Sequence, residues 1–441
     1  MCQDIHVWSQ RFGDTRCQEG LGIATDGASN VIISGVYAGT VNFGGGTLAS
    51  NGGNDVFVAK FDANGNHLWS QSLGNVSYAI SLDVATDPTG NVLVSGVFYG
   101  DLRLNGTPLL TSNGNSDSFV VKFSPNGTLI WSQRFGGPSW DETWGMDVDS
   151  NGDVLLAGRY WASMPVNGTP LTSAGDADAF IVKMSGTNGA LLWGRSWGGT
   201  GHDRSLGVAV DGARNVWVTG GFQGTAHFGG APSTSQGDTD FFLVKLDKDG
   251  NHLWNRTYGG VGVQLGADAD ADSAGNVWVT GGFTGTFSLG GPTLTSAGDW
   301  DIFLAKFNAT GAPQWSKSSG GPGSDIGEAV AVNATGSAVV ITGGAVGPLD
   351  FVEDPNAPND LRVGNGGMDV FVAKFDTDGG HRWSQIYGDG ADQLGFDIDF
   401  DTSDNVVLIG DLEGQVNVGG TAPLQSAGCY DILLMKLRAT P

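Results

Sequence analysis

One pattern recurs seven times along this 441-residue chain, and it restricts the fold more than any other feature. Each copy opens on Asp, alternates apolar residues up to a Lys, turns, and reaches a Trp. The first runs from Asp55 through Lys60 and Gly65 to Trp69. Later copies pair Asp117 with Trp131, Asp178 with Trp193, Asp240 with Trp254, Asp301 with Trp315 and Asp369 with Trp383. The seventh begins at Asp431 and reaches Lys436; the Trp it lacks stands at the other end of the chain, as Trp8. Repeat tryptophans lie 61 to 68 residues apart and span essentially the whole sequence. Such a period marks a solenoid, propeller or array rather than unrelated domains.

Inside a repeat the pattern is all-β. GIATD at 22–26 alternates, a Gly/Asn turn follows, and NVIISGVY at 30–37 supplies a partner. DVFVAKFD at 55–62 makes a third strand and HLWSQSL at 67–73 a fourth, beyond the Asn64-Gly65 turn. Period-two alternation between such turns is the hairpin signal, and no helical period is present. Four strands per repeat predicts a propeller. A solenoid needs polar capping repeats, which are missing. The chain instead starts with an orphan strand and ends one strand short, and joining the two removes an aggregation-prone edge. The expectation is therefore a closed seven-bladed β-propeller with residues 1–441 as one domain. In it, residues 5–12 complete the blade formed by 395–438.

The segments D-x-F-V-A-K-F-D-x-x-G-x-x-L-W and G-V-A-V-D-x-x-G-N-V-W-V-T-G, as at Asp301–Trp315 and Gly207–Gly220, carry a resemblance. They are similar to the SBBP-type β-propeller repeat of bacterial secreted and surface-anchored proteins. The resemblance covers all seven repeats and implies a scaffold fold, with little to say about ligands. The sixth repeat departs from it through an insertion near Leu349–Asp360 and one extra residue at Ser337–Ala338, placed in the second strand.

In a repeat protein a residue stands out only where its equivalents differ. His6, His67, His252 and His381 are repeat positions, leaving His202 and His227, with no nucleophile in recognisable company. No catalytic constellation emerges, and the chain reads as a non-enzyme. Trp217, Trp278 and Trp197 align with core positions, and Trp144 aligns with Leu21, Leu82, Leu206 and Phe396, which predicts burial. Trp140, Trp161 and Trp300 fall in connections where other blades carry small or polar residues. Strand direction puts these long loops on one face, with His202, Asp203 and Arg204 in a neighbouring crossing. Aromatics beside polar groups suit a sugar ring or a peptide, which makes Trp140, Trp161, His202, Arg204 and Trp300 the candidate ligand-binding set. The alternative is that these aromatics only pack on their own blades.

The pre-strand aspartates Asp55 through Asp431 are too uniform for one catalytic site; they are read as acceptors for loop amides. Asp26, Asp87, Asp149, Asp211, Asp272, Asn333 and Asp401 open turns in the same way. Extra acids on the innermost strands are different: Asp268 and Asp270, and Asp397 and Asp399, replace Gly or Ala, as Asp83 and Asp147 do singly. Clustered carboxylates take up protons or hold a cation, and oxygen ligands favour Ca²⁺ or Mg²⁺. A hydrated acidic channel with no cofactor is the plainer expectation. The insertion DFVEDPNAPND at 350–360 is a second calcium candidate, with a solvated acidic loop as the plainer expectation. An enzyme using a channel-bound cation ranks third among the functions.

Forty-six acids against 21 bases leave a net charge of -25, which disfavours nucleic acid and acidic lipid as partners. No apolar run approaches the ~18–20 residues that cross a bilayer. Of three cysteines, Cys17 and Cys429 fall at the seam between the N-terminal strand and the last blade. They predict a disulfide that staples the ring and an oxidising compartment. Cys2 resembles a lipoprotein's acylated residue, or is the remnant of a preceding segment. The combined expectation is a monomeric scaffold, extracellular or in a bacterial cell envelope, that binds a glycan or a protein. A purely structural display module is the runner-up.

Overall fold

A computed structural model describes residues 5–440, apart from 52, 75–76, 167–168, 352–361, 365 and 421. Cys2 and most of the 350–360 loop therefore lie outside the described residues. The rest is all-β, with no helix among the described residues. Six four-stranded sheets and one six-stranded sheet share a common antiparallel order. In the first, Gln18–Thr25 pairs with Val31–Tyr37, then Asp55–Phe61, then His67–Gly74. The units starting at Tyr78, Asp141, Arg204, Gln264 and Ile326 repeat this arrangement. In the last, Gln393–Phe400, Val406–Leu412 and Asp431–Leu437 are followed by the N-terminal strand His6–Phe12. These sheets pack side by side as the blades of a propeller and are numbered in chain order from Gln18. Their first strands stand side by side from blade one to blade seven, and Gln393–Phe400 again touches Gln18–Thr25.

The alternating apolar residues are buried between neighbouring blades. Phe12, Phe57, Phe61 and Ile23 pack against Ile409 and Ile432 of blade seven, and Trp217 packs with Phe241 and Phe303 between blades four and five. Each such aromatic contributes roughly 1.5–3 kcal/mol by leaving water.

The Asp–Lys–Trp repeat has a mechanical meaning. Each repeat Lys reaches the outer turn of the next blade: Lys60 donates to Pro125 O, Lys122 to Gly186 O, Lys183 to Lys248 O and Lys245 to Ala309 O. Lys306 reaches Thr377 O, Lys374 reaches Ala439 O, and Lys436 reaches Ala63 O of blade one. The indoles of Trp8, Trp69, Trp131, Trp193 and Trp315 donate to the same carbonyls as their blade's Lys. All of these lysines but the half-buried Lys306 are buried, and most are neutralised within their own blade. Lys60–Asp26, Lys122–Asp87, Lys183–Asp149, Lys245–Asp211 and Lys436–Asp401 pair at 2.7–3.0 Å. The turn-opening acids are thus ion-pair partners as well as turn acceptors, a role the turn pattern alone did not suggest. Blade six has Asn333 instead, and burial lowers the Lys374 pKa.

The pre-strand acids accept loop amides as expected: Asn51 N donates to Asp55, Ala174 N to Asp178, Gln236 N to Asp240 and Ala427 N to Asp431. The extra residue of blade six lies in the turn and not in the second strand. Asn333 N bonds Ala338 O, whereas Asp26 N bonds Asn30 O, one residue sooner.

Cys17 and Cys429 form a disulfide, with Cα atoms 4.9 Å apart and a sequence separation of 412. Beside it His6–Phe12 pairs along Asp431–Leu437, and Arg11 forms an ion pair with Asp431.

Candidate functional site

The first strand of every blade carries a bulge, at Gly20/Gly22 in blade one and at Ser81/Asp83, Thr143/Gly145, Ser205/Val208, Gly266/Asp268, Gly327/Ala329 and Gly395/Asp397 in the others. A bulge inserts a residue and re-aims its side chain. Here it sends Leu21, Leu82, Trp144, Leu206, Ala267, Glu328 and Phe396 into a central funnel of about 620 Å³. Two positions earlier on the same strands, Glu19, Ile80, Arg204, Leu265 and Ile326 line its upper wall. Trp300 closes one side, lying so near Gly282 that a Cβ there would come within 2.7 Å of the indole. Trp144 is consequently not buried: it is 37 % exposed. Its alignment with Leu21, Leu82, Leu206 and Phe396 is correct, but that position faces the funnel.

Beside the funnel, blades three and four assemble an aromatic–cation cluster. Trp140, 49 % exposed, meets Trp161 edge to face at 6.1 Å, and Trp161 meets His202 at 5.9 Å. Arg159 lies over both Trp161, at 4.9 Å, and Trp144, at 5.6 Å. It also pairs with Glu142 at 2.6 Å and reaches His202 Nε2 at 2.9 Å. A guanidinium can only donate, so Nε2 accepts and the imidazole proton sits on Nδ1, 3.5 Å from Asp176. Asp176 also accepts the Trp161 indole N–H at 2.9 Å. The cluster is a rigid cross-linked surface with one indole free to meet a partner.

The predicted ligand set thus divides: Trp140, Trp161 and His202 come together, whereas Arg204 and Trp300 lie in the funnel wall. Arg159, Trp144, Glu19 and Glu328 belong to the site but were not singled out from the sequence. Arg159 has taken Glu142, and among the described residues Arg204 makes no side-chain hydrogen bond or ion pair. Burial and the neighbouring Arg159 lower its pKa. Glu328 is likewise without a hydrogen-bond partner there, and burial pushes its carboxyl up to about 7. Burial also raises Glu19.

Below the funnel the channel carboxylates bond main-chain amides of neighbouring blades. Asp268 and Asp270 of blade five accept the amides of Val330 and Val332 in blade six at 2.9 and 2.7 Å. Asp397 and Asp399 accept those of Ile23 and Thr25 in blade one at 2.7 and 2.8 Å. Asp83 does the same to Met146, and Asp147 to Val210. In five of the six, the other oxygen accepts the amide of the following residue. Among the described residues no group of three or more His, Cys, Asp or Glu is arranged to hold a metal ion. The acids read as a hydrated channel or a cation site thus bridge one blade to the next through main-chain amides. Burial, reinforced by neighbouring carboxylates, raises Asp147 to about 8, Asp268 and Asp399 to about 7, and Asp270 to about 6.

No family model matches the chain. An uncharacterised WD repeat-containing protein, L264, of Acanthamoeba polyphaga mimivirus is 26 % identical over 200 residues, covering 38 % of this chain and 14 % of that protein. Regulatory protein FlaEY of Caulobacter vibrioides is 29 % identical over 171 residues, covering 37 % and 18 % respectively. The chain therefore matches less than a fifth of the length of these relatives. Among solved structures, the Dos1 propeller covers 96 % of this chain and 94 % of its own, with 8 % identity and a TM-score of 0.43. Sqt1 from Chaetomium thermophilum, bound to the N-terminus of ribosomal protein L10, covers 99 % and 100 %, with 10 % identity and a TM-score of 0.46.

Proposed function

We propose that the chain is a closed seven-bladed propeller of the SBBP-repeat kind. It serves as a non-catalytic scaffold, extracellular or in the cell envelope, that takes a protein partner on the long-loop face at blades three and four. The observation that carries this reading is the exposed Trp140 held against Trp161, while Arg159, His202, Glu142 and Asp176 lock the surroundings. Pre-positioned aromatics with a polar rim have the anatomy of a binding hot spot. Held on both sides by Arg159 and Asp176, the His202 ring is occupied as a structural linker and not poised as a base. The Cys17–Cys429 bridge supports an oxidising compartment.

The test is affinity capture of the partner from the envelope and secreted fractions of the source cells, followed by titration of the purified pair. Trp140→Ala and Trp161→Ala should each weaken binding by about tenfold or more with unchanged folding; wild-type affinity in both variants refutes the reading. A glycan is the second reading, favoured by the free indole of Trp140. Array binding that disappears in Trp140→Ala would replace the first reading with it.

A further inference from the structure

The funnel holds ionisable side chains of both signs that find no hydrogen-bond or ion-pair partner among the described residues: Arg204, and the carboxyls of Glu328 and Glu19. Arg204 has five N–H donors and, among the described residues, no acceptor for any of them. In a chain with 46 acids against 21 bases, a half-buried guanidinium with no acid beside it stands out. Glu142, on the neighbouring first strand, is taken by Arg159. Glu328 stands in the inner ring, at a position that the other blades fill with Leu, Trp, Ala or Phe. Between the two, Leu206, Leu265, Ile326 and Trp300 make the wall apolar. Asp83, Asp268 and Asp397 line both this funnel and the acidic cavity beyond it, each already accepting a main-chain amide of the next blade.

We propose that the funnel binds a short apolar peptide with both ends free, its ammonium received by Glu328 and its carboxylate by Arg204. Each charged end completes a group that is otherwise unpaired, and the apolar side chains replace water along the wall. A space of about 620 Å³ is in the range of small-ligand pockets, which favours a few residues over a long chain. The placement of Glu328 in the inner ring and Arg204 in the upper wall sets the polarity, with the amine inward and the carboxylate at the rim. This inference rests on the binding-scaffold reading but concerns the funnel and not the Trp140 surface.

The experiment is calorimetric titration of the full chain with di-, tri- and tetrapeptides of Leu and Ala. Each is supplied with free ends, N-acetylated, or C-amidated. One length should bind best, and either block should weaken it about tenfold or more, as expected for lost hydrogen bonds to charged groups. In Glu328→Gln acetylation should cease to matter while amidation still does, and Arg204→Gln should show the reverse. Wild-type protein that binds none of the free-ended peptides overturns the proposal, as does binding indifferent to both blocks in protein whose circular dichroism is native. Partner binding lost in Trp140→Ala alongside peptide indifference would overturn only the funnel assignment.

Discussion

Replacing both Cys17 and Cys429 with Ser removes the covalent link between the N-terminal crossing and blade seven, leaving strand pairing and the Arg11–Asp431 ion pair to hold the seam. The loop it closes has a sequence separation of 412. The chain-entropy relation gives about 20 cal/mol/K for a loop of that size, or about 6 kcal/mol at room temperature. That is comparable with the whole stability of many domains. Strain or residual structure in the unfolded chain lowers it, so a loss of between about 2 and 6 kcal/mol is expected. The assay is urea unfolding of the oxidised protein, the reduced protein and the double Ser variant, followed by tryptophan fluorescence. The last two should coincide, with midpoints well below the first. If the double variant unfolds at the midpoint of the oxidised protein, the entropic argument is wrong. If Cys17 can be alkylated without reductant, its premise is wrong.

Two further outcomes follow from the buried charges. Lys183→Met strands Asp149, with which Lys183 pairs at 2.7 Å, and should cost about 3–5 kcal/mol in the same assay. Lys374 donates to the carbonyls of Asp404 and Ala439, with Asn333 at the position of the paired acid, so Lys374→Met should cost about 1–2 kcal/mol; equal losses would deny the ion pairs a role. For pH, Asp147, Asp268, Asp270, Asp399 and Glu328 have native pKa values raised to between about 6 and 8, against roughly 4 in the unfolded chain. Between those limits the native state holds protons that the unfolded state has released. Stability should therefore fall as pH rises from about 4 to about 8. The Tm should be higher at pH 5 than at pH 8, with a shallower slope in Asp147→Asn; a Tm that rises with pH contradicts the assignment.

Strand placement and the cysteine seam were legible because both follow from a period. The Asp–Lys–Trp spacing survives seven repetitions, and a residue such as Trp217 is identified as core by its equivalents Ile32, Leu93 and Leu155, all buried. The funnel was harder to read. A bulge shifts the alternation by one residue, so Trp144 looks like an inward position while it faces the channel. Glu328 could have been found by the same comparison, being the ionisable member of an otherwise uncharged set. Arg159 could not, because its importance comes from stacking on residues of two separate segments. The bridges made by the channel acids were illegible for another reason: their partners are main-chain amides, and a backbone N–H leaves no mark on the sequence.

The Lys and Trp latches all point the same way round, each blade gripping the outer turn of its successor, and Lys436 of the last grips Ala63 of the first. A linear array of repeats can fray from its terminal unit, giving up one interface at a time. Here every unit is both holder and held. Releasing any one of them opens two interfaces at once and strands a buried ammonium. Melting in such a molecule has no natural starting point, and the cooperativity of the whole is set by how the chain's two ends are fastened.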